Sequence, residues 1–93
     1  MAENQQPEAL YSDLIGQPVP IDPKKLTPWQ KDVDEAVRFL VFFQGEPHLR
    51  SGTEQLVNGM KFVFKYQDQK GIVEVVTLDV PVHDSRTITY SNI

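Results

Sequence analysis

Gln55-Leu56-Val57-Asn58-Gly59-Met60-Lys61-Phe62-Val63-Phe64-Lys65-Tyr66-Gln67 is the stretch on which the fold turns. From Met60 onward, Met60, Phe62, Phe64 and Tyr66 alternate with Lys61, Val63, Lys65 and Gln67. A period of two with aromatic residues on one side is the pattern of a strand whose aromatic face is buried. Val57-Asn58-Gly59 just before it has the composition of a tight turn. Asn and Gly both tolerate positive φ, which a two-residue type I′ hairpin loop requires. The stretch thus predicts a hairpin followed by a half-buried strand.

Downstream, Asp68-Gln69-Lys70-Gly71 reads as a second turn. Ile72 to Val80 is a β-branched strand interrupted by Glu74 and Asp79, Pro81 to Ser85 is a loop, and Arg86 to Ser91 is a last strand with Ile88 and Tyr90 on one face. Upstream, Thr27-Pro28-Trp29-Gln30 carries a Thr N-cap, Pro at the first helical position and Gln three residues after the cap. Trp29, Val33, Ala36, Val37 and Leu40 follow on one stripe at helical spacing, and Asp32, Asp34 and Glu35 lie toward the end where the helix dipole favours negative charge. Gly45 is the expected stop, with Pro47 beyond it. Phe39, Val41, Phe42 and Phe43 widen the apolar surface, and apolar helix positions mostly serve packing, so these are expected in the core. Between Gly45 and Glu54 the text is ambiguous, and Gly52 weakens any strand there. Leu14 to Pro23 holds three prolines within six residues, which forbids a helix and favours an extended path. The class that follows is α+β: one α-helix packed across an antiparallel β-sheet. Residues 1–13 are expected to be a flexible extension and 14–93 a single domain.

Ninety-three residues suffice for one domain with a modest core. There is no Cys, which removes disulfides, thiolate metal sites and a cysteine nucleophile from consideration. His48 and His83 stand apart, so no metal site is legible, and none of the residues implies a cofactor. His83 beside Asp84 lacks a nearby nucleophile, and the chain is not expected to be an enzyme. A net charge of −4 without a Lys/Arg stripe argues against nucleic acid and anionic membranes as partners. The longest apolar run, Phe39 to Phe43, is far too short to span a bilayer. The polar Met1 to Leu10 has no apolar h-region and is not expected to be a signal peptide, and together with the lack of Cys it suggests a cytoplasmic protein. A secreted form stays open should Met1 not be the natural start.

The order of helix, Gln-x-Val-x-Gly hairpin (Gln55 to Gly59) and strand resembles the cystatins, protein inhibitors of papain-like cysteine peptidases. Leu14-Ile15-Gly16 is similar to the family's N-terminal glycine segment, Gln55-Leu56-Val57-Asn58-Gly59 to its first hairpin, and Pro81-Val82-His83 to its second. The closing His83 to Asn92 looks most like the stefin branch, which lacks disulfides and signal peptides. The resemblance spans roughly Ile15 to Ile93. Val82 between Pro81 and His83 departs from the family's Pro-His or Pro-Trp pair, and the segment between helix and first hairpin is shorter than the family's strand.

What the resemblance implies is a reversible, tight-binding inhibitor of cathepsin-like peptidases that fills the active-site cleft and excludes substrate. Leu14 and Ile15 would occupy apolar subsites, and Gly16 would let the backbone pass the catalytic centre. Val57 would make apolar contact, Gln55 would support the loop by hydrogen bonding, and Gly59 would permit the turn, with Leu56 and Asn58 completing the loop. Pro81, Val82 and His83 would touch the other side of the cleft. The active form would be a monomer, and a domain-swapped dimer with its first loop straightened would be inactive. The alternative is a non-inhibitory interaction module of cystatin-like fold that binds partners through the Phe-rich helix or as a dimer. An open patch of Phe39, Phe42 and Phe43 beside a buried Gln55 to Gly59 would favour it.

Overall fold

The computed structural model describes residues 16–93. The chain enters as β1 (Val19–Ile21), forms α1 (Pro28–Leu40), and then runs through β2 (His48–Val57), β3 (Gly59–Asp68), β4 (Gly71–Val80) and β5 (Ser85–Asn92). The five strands make one antiparallel sheet in the order β1-β2-β3-β4-β5. The α+β class read from the sequence holds, with α1 inserted between β1 and β2 and the rest a simple meander.

The start of α1 forms as its text predicts. The Thr27 hydroxyl accepts from the Gln30 N–H at 3.2 Å, and Gln30 Oε1 accepts from the Thr27 N–H at 2.9 Å. This reciprocal box satisfies two amides that the first turn leaves without helical partners. Gln30 also donates from Nε2 to Glu54 Oε1 at 2.7 Å, which ties the cap to β2. The buried residues of α1 are Gln30, Val33, Asp34 and Val37, at the spacing of one helix face.

That face lies on the inner side of the sheet. Phe62, Phe64 and Tyr66 of β3 and Val73, Val75 and Thr77 of β4 are buried there, with Ile21 and Val41 closing the margins. The aromatics form a ladder, with Trp29–Phe62, Phe62–Phe64 and Phe64–Tyr66 ring centroids 5.7, 6.0 and 6.0 Å apart. Fully burying each such side chain is worth about 1.5–3 kcal/mol. Asp34 is part of this interior and lies beyond the first helical turn, so its role differs from the dipole effect expected of it. It accepts from Tyr66 Oη at 2.6 Å and from Arg38 Nε at 3.0 Å, while the Arg38 guanidinium sits 5.4 Å from the Tyr66 ring centre. Burial, then the bond to Asp34, pushes the Tyr66 phenol well above its ordinary pKa, so it acts as a donor.

Several expectations are corrected. The helix ends at Leu40, short of Gly45, because Val41 turns extended (φ −92°, ψ 135°) and keeps its side chain in the core. The chain beyond it is held by tertiary bonds: Phe43 packs on Tyr66 at 5.0 Å, the Gln44 N–H donates to Asp68 Oδ2, and the Gln44 carbonyl accepts from the Gln69 N–H. Those contacts outweigh the middling helix propensity of Val and Phe. Phe39 and Phe42 are not core residues; they are 86% and 74% exposed, and Leu40 is exposed as well. Phe39 is about 200° around the helix from Val37, on the side away from the sheet.

The ambiguous segment is a ten-residue strand, β2, with a bulge between Leu49 and Ser51, and Gly52 lies inside it. A Cβ on Gly52 would come within 2.8 Å of Phe64 Cδ1. The glycine expected to weaken a strand is accommodated because the Phe64 ring packs on the backbone opposite. Finally, Asn58 does not adopt positive φ; Gly59 alone does, so the first turn is not the type I′ loop expected.

Candidate functional site

The end of the sheet that carries the β2–β3 and β4–β5 connections gathers the sequence motifs. Val57 pairs with Gly59 across Asn58 alone, which makes the first connection as short as a hairpin allows. Gly59 has φ +128°, a conformation L side chains rarely adopt, and a Cβ there would meet Asp79 O at 2.5 Å and Val80 Cγ2 at 3.1 Å. The turn glycine therefore lies directly against the last residues of β4. From there the chain makes a single 3₁₀ turn, Pro81–His83, and Asp84 (φ 49°) closes it with its N–H on the Pro81 carbonyl at 2.9 Å. Pro81, Val82 and His83 are all exposed, Val82 to 84%.

Gly16 completes the group from the opposite flank. Its N–H donates to the Leu56 carbonyl at 2.7 Å, and its own carbonyl accepts from Gln55 Nε2 at 3.0 Å. The Gln55 side chain thus bonds to the incoming segment at Gly16 and not to the hairpin's own backbone. Along this edge the order is Gly16, the first hairpin, then the Pro81–His83 turn. Leu56 and Asn58 are exposed and Val57 is half-buried. Leu14 and Ile15 lie outside the described residues.

Beneath the second turn sits a polar cluster that reading the sequence missed. Asp79, 5% exposed, pairs across the sheet with Arg86 and accepts from Arg86 Nε at 2.7 Å, Arg86 Nη2 at 2.8 Å and Trp29 Nε1 at 2.7 Å. Arg86 Nη2 also donates to Asp32 Oδ2 at 2.7 Å. Burial alone would raise the Asp79 carboxyl; the bonds from Arg86 and Trp29 and the guanidinium charge outweigh it and hold the group below its usual range. The Arg86 guanidinium is shifted upward, first by its bond to Asp79. In the sequence Asp79 merely interrupts a strand. The available signal was its inward parity with Val73, Val75 and Thr77, and an Arg beyond the loop to neutralise it.

The edge offers apolar tips, exposed backbone and one imidazole. Among the described residues no group of three His, Cys, Asp or Glu is placed to hold a metal ion. A surface of this kind can fill a groove in another protein. No family model, no curated protein and no solved structure matches this chain. One helix against a five-stranded antiparallel sheet is compatible with the cystatin resemblance.

Proposed function

We propose that the chain is a reversible inhibitor of papain-like cysteine peptidases, of stefin-like cystatin type, that acts by occluding the active-site cleft and performs no chemistry itself. The observation that carries this reading is the convergence of Gly16, Gln55–Gly59 and Pro81–His83, three segments distant in sequence, along one edge. Gln55 and Leu56 hold Gly16 beside the hairpin, so a segment entering through Gly16 and the two turns would engage a cleft as one unit. Pre-forming that unit lowers the entropy lost on docking. A complex of standard size would bury on the order of 1,600 Å² in total. Leu56, Val57 and Val82 supply the apolar contacts, and Pro81 and His83 the flank opposite Gly16. On this reading the protein works in the cytoplasm, as a monomer.

The exposure of Phe39 and Phe42 supports the second reading, an interaction module that binds through the end of α1. It lacks the other half of its signature, since Phe43 packs on Tyr66 and the Gln55–Gly59 hairpin is not buried.

The test is a titration of active papain with the purified monomer, followed on a fluorogenic peptide. Stoichiometric, reversible loss of activity without cleavage of the inhibitor is expected. Val57→Asp should remove that inhibition with an unchanged cooperative melt, because the substitution sits at a turn. No inhibition of papain or of a cathepsin L-like enzyme overturns the proposal.

A further inference from the structure

The two margins of the sheet are unlike. β1 is three residues long and contains Pro20, a short edge with a missing amide of the kind that blocks further pairing. β5 runs Ser85–Asn92, pairs with β4 without any register shift, and has no further strand on its other side among the described residues. It holds no Pro and no Lys, and its one charge, Arg86, is drawn in toward Asp79 and Asp32. That inward-drawn arginine is the one usual edge-protecting device β5 carries; along Ser85–Asn92 there is no Pro, no Lys and no bulge.

The hydrogen-bond phase of that edge is fixed. The Ile93 N–H donates to the Ile72 carbonyl, on the β4 side. Backbone direction alternates along an antiparallel strand, so Thr87, Thr89 and Ser91 face β4, while the N–H and C=O groups of Arg86, Ile88 and Tyr90 point out of the sheet. The text of β5 is nearly a palindrome about Ile88: Ser85-Arg86-Thr87-Ile88-Thr89-Tyr90-Ser91.

We propose that β5 pairs antiparallel with β5 of a second copy, about a two-fold axis at Ile88. In that register Ile88 faces Ile88, Thr87 faces Thr89, Arg86 faces Tyr90 and Ser85 faces Ser91. Ile88 has outward N–H and C=O groups, so the dyad falls on a hydrogen-bonded pair, and the outward groups of Arg86, Ile88 and Tyr90 supply about six backbone bonds across the junction. Ile88 with Ile88 and Thr87 with Thr89 are favourable cross-strand pairs, Ser85 meets Ser91, and the Tyr90 ring covers the stem of an Arg86 whose guanidinium stays on Asp79 and Asp32. An isologous contact needs such self-complementarity. On the helix side, a groove of about 440 Å³ lined by Ala36, Leu40, Val41, Arg86, Ile88 and Tyr90 runs along β5. Pairing brings the second copy's groove beside it, so the exposed Leu40 and Tyr90 of both copies share one apolar channel. The two loop-bearing ends point in opposite directions, and the joined sheet has ten strands. This dimer exchanges no segment between copies and does not depend on any peptidase.

Sedimentation across micromolar to millimolar protein, with hydrogen exchange read at single residues, tests it. The expected result is a concentration-dependent dimer in which the amides of Arg86, Ile88 and Tyr90 gain protection. Tyr90→Lys, which sets a second cation opposite Arg86, and Tyr90→Pro, which removes an outward N–H, should each shift the dimer midpoint about tenfold or more in concentration. Because the native chain has no Cys, Ile88→Cys should oxidise to a covalent dimer, while Thr87→Cys and Thr89→Cys singly should not. A Cα separation of about 5.5 Å at the paired dyad position is within disulfide reach. A protein that stays monomeric to about 1 mM, a dimer that leaves these amides unprotected, or equal cross-linking at all three positions overturns the proposal. So does an edge that gains protection only from an added strand of unrelated sequence.

Discussion

Asp79→Asn is the sharpest probe of how the second turn is held. The substitution keeps the shape of the side chain and its bond from Trp29 Nε1, but it removes the charge that receives both Arg86 donors at 2.7 and 2.8 Å. Breaking a buried ion pair from one side costs about 3–5 kcal/mol. Arg86 is partly exposed and keeps its bond to Asp32, so the lower end applies, about 3 kcal/mol. For a domain of this size that corresponds to a melting temperature lower by on the order of 15 °C. The pH dependence has a definite sign. The folded carboxyl is held below its unfolded value, so the stabilisation is full above the ordinary carboxylate pKa of about 3.9 and is lost as pH falls through the folded value. Paired denaturant melts of parent and variant from pH 7 downward would therefore show a gap that narrows in acid. A gap under about 1 kcal/mol at pH 7, or one that stays constant into acid, would refute the assignment of the Asp79–Arg86 pair as a stabilising pin.

Two further outcomes follow from single atoms. Thr77 Oγ1 is buried without a hydrogen-bond partner among the described residues, so Thr77→Val should raise stability by about 1 kcal/mol, a gain a thermal melt would resolve, and a fall in melting temperature would mean that the hydroxyl is bonded. Gly59→Ala should cost at least about 2 kcal/mol in a urea titration, because it combines a strained positive φ with a Cβ that would lie 2.5 Å from the Asp79 carbonyl; wild-type stability would show that the first turn can relax away from β4.

What was legible in the sequence is what local chemistry determines. The Thr27–Gln30 box and the Met60–Gln67 alternation depend on residues a few positions apart, and both formed as written. The Asp68–Gly71 turn is equally local: Asp68 Oδ1 accepts from the Lys70 and Gly71 amides, and the bond from Gln44 first, then these, holds its carboxyl below the usual range. What was not legible depends on partners far along the chain. β2 is a strand because β1 and β3 flank it, and Gly52 is tolerated because Phe64, twelve residues on, fills the space. The end of α1 is decided by the Gln44 N–H donating to Asp68 and the Gln44 carbonyl accepting from the Gln69 N–H, not by its own text. Leu40 fits the helical stripe but is exposed because it reaches the margin of the sheet, where β5 is the last strand. The motif residues of the site could be named in advance; that Gln55 would clasp Gly16 could not.

The polar pins divide the labour of this interior. Val33, Val37, Phe62, Phe64 and Val75 supply most of the burial, but apolar contact is non-directional and tolerates small sliding of a helix over a sheet. Asp34, bonded to Tyr66 and Arg38, anchors the middle of α1 over β3. Gln30 to Glu54 and Trp29 to Asp79 anchor its N-terminal end over β2 and β4. Each bond has a donor and an acceptor at fixed positions, so together they select one placement among those the apolar contacts allow. The N-terminal set also reaches the two strands that lead into the exposed turns: Glu54 is next to Gln55, and Asp79 ends the inward series of β4 just before Pro81. The spacing between the first hairpin and the second turn is held by the β3–β4 ladder, which sets Met60 opposite Asp79 and Gly59 against the Asp79 carbonyl, while these bonds seat the helix behind it. Loosening either pin would therefore free the N-terminal end of α1 to slide over the sheet while the ladder keeps the two turns together.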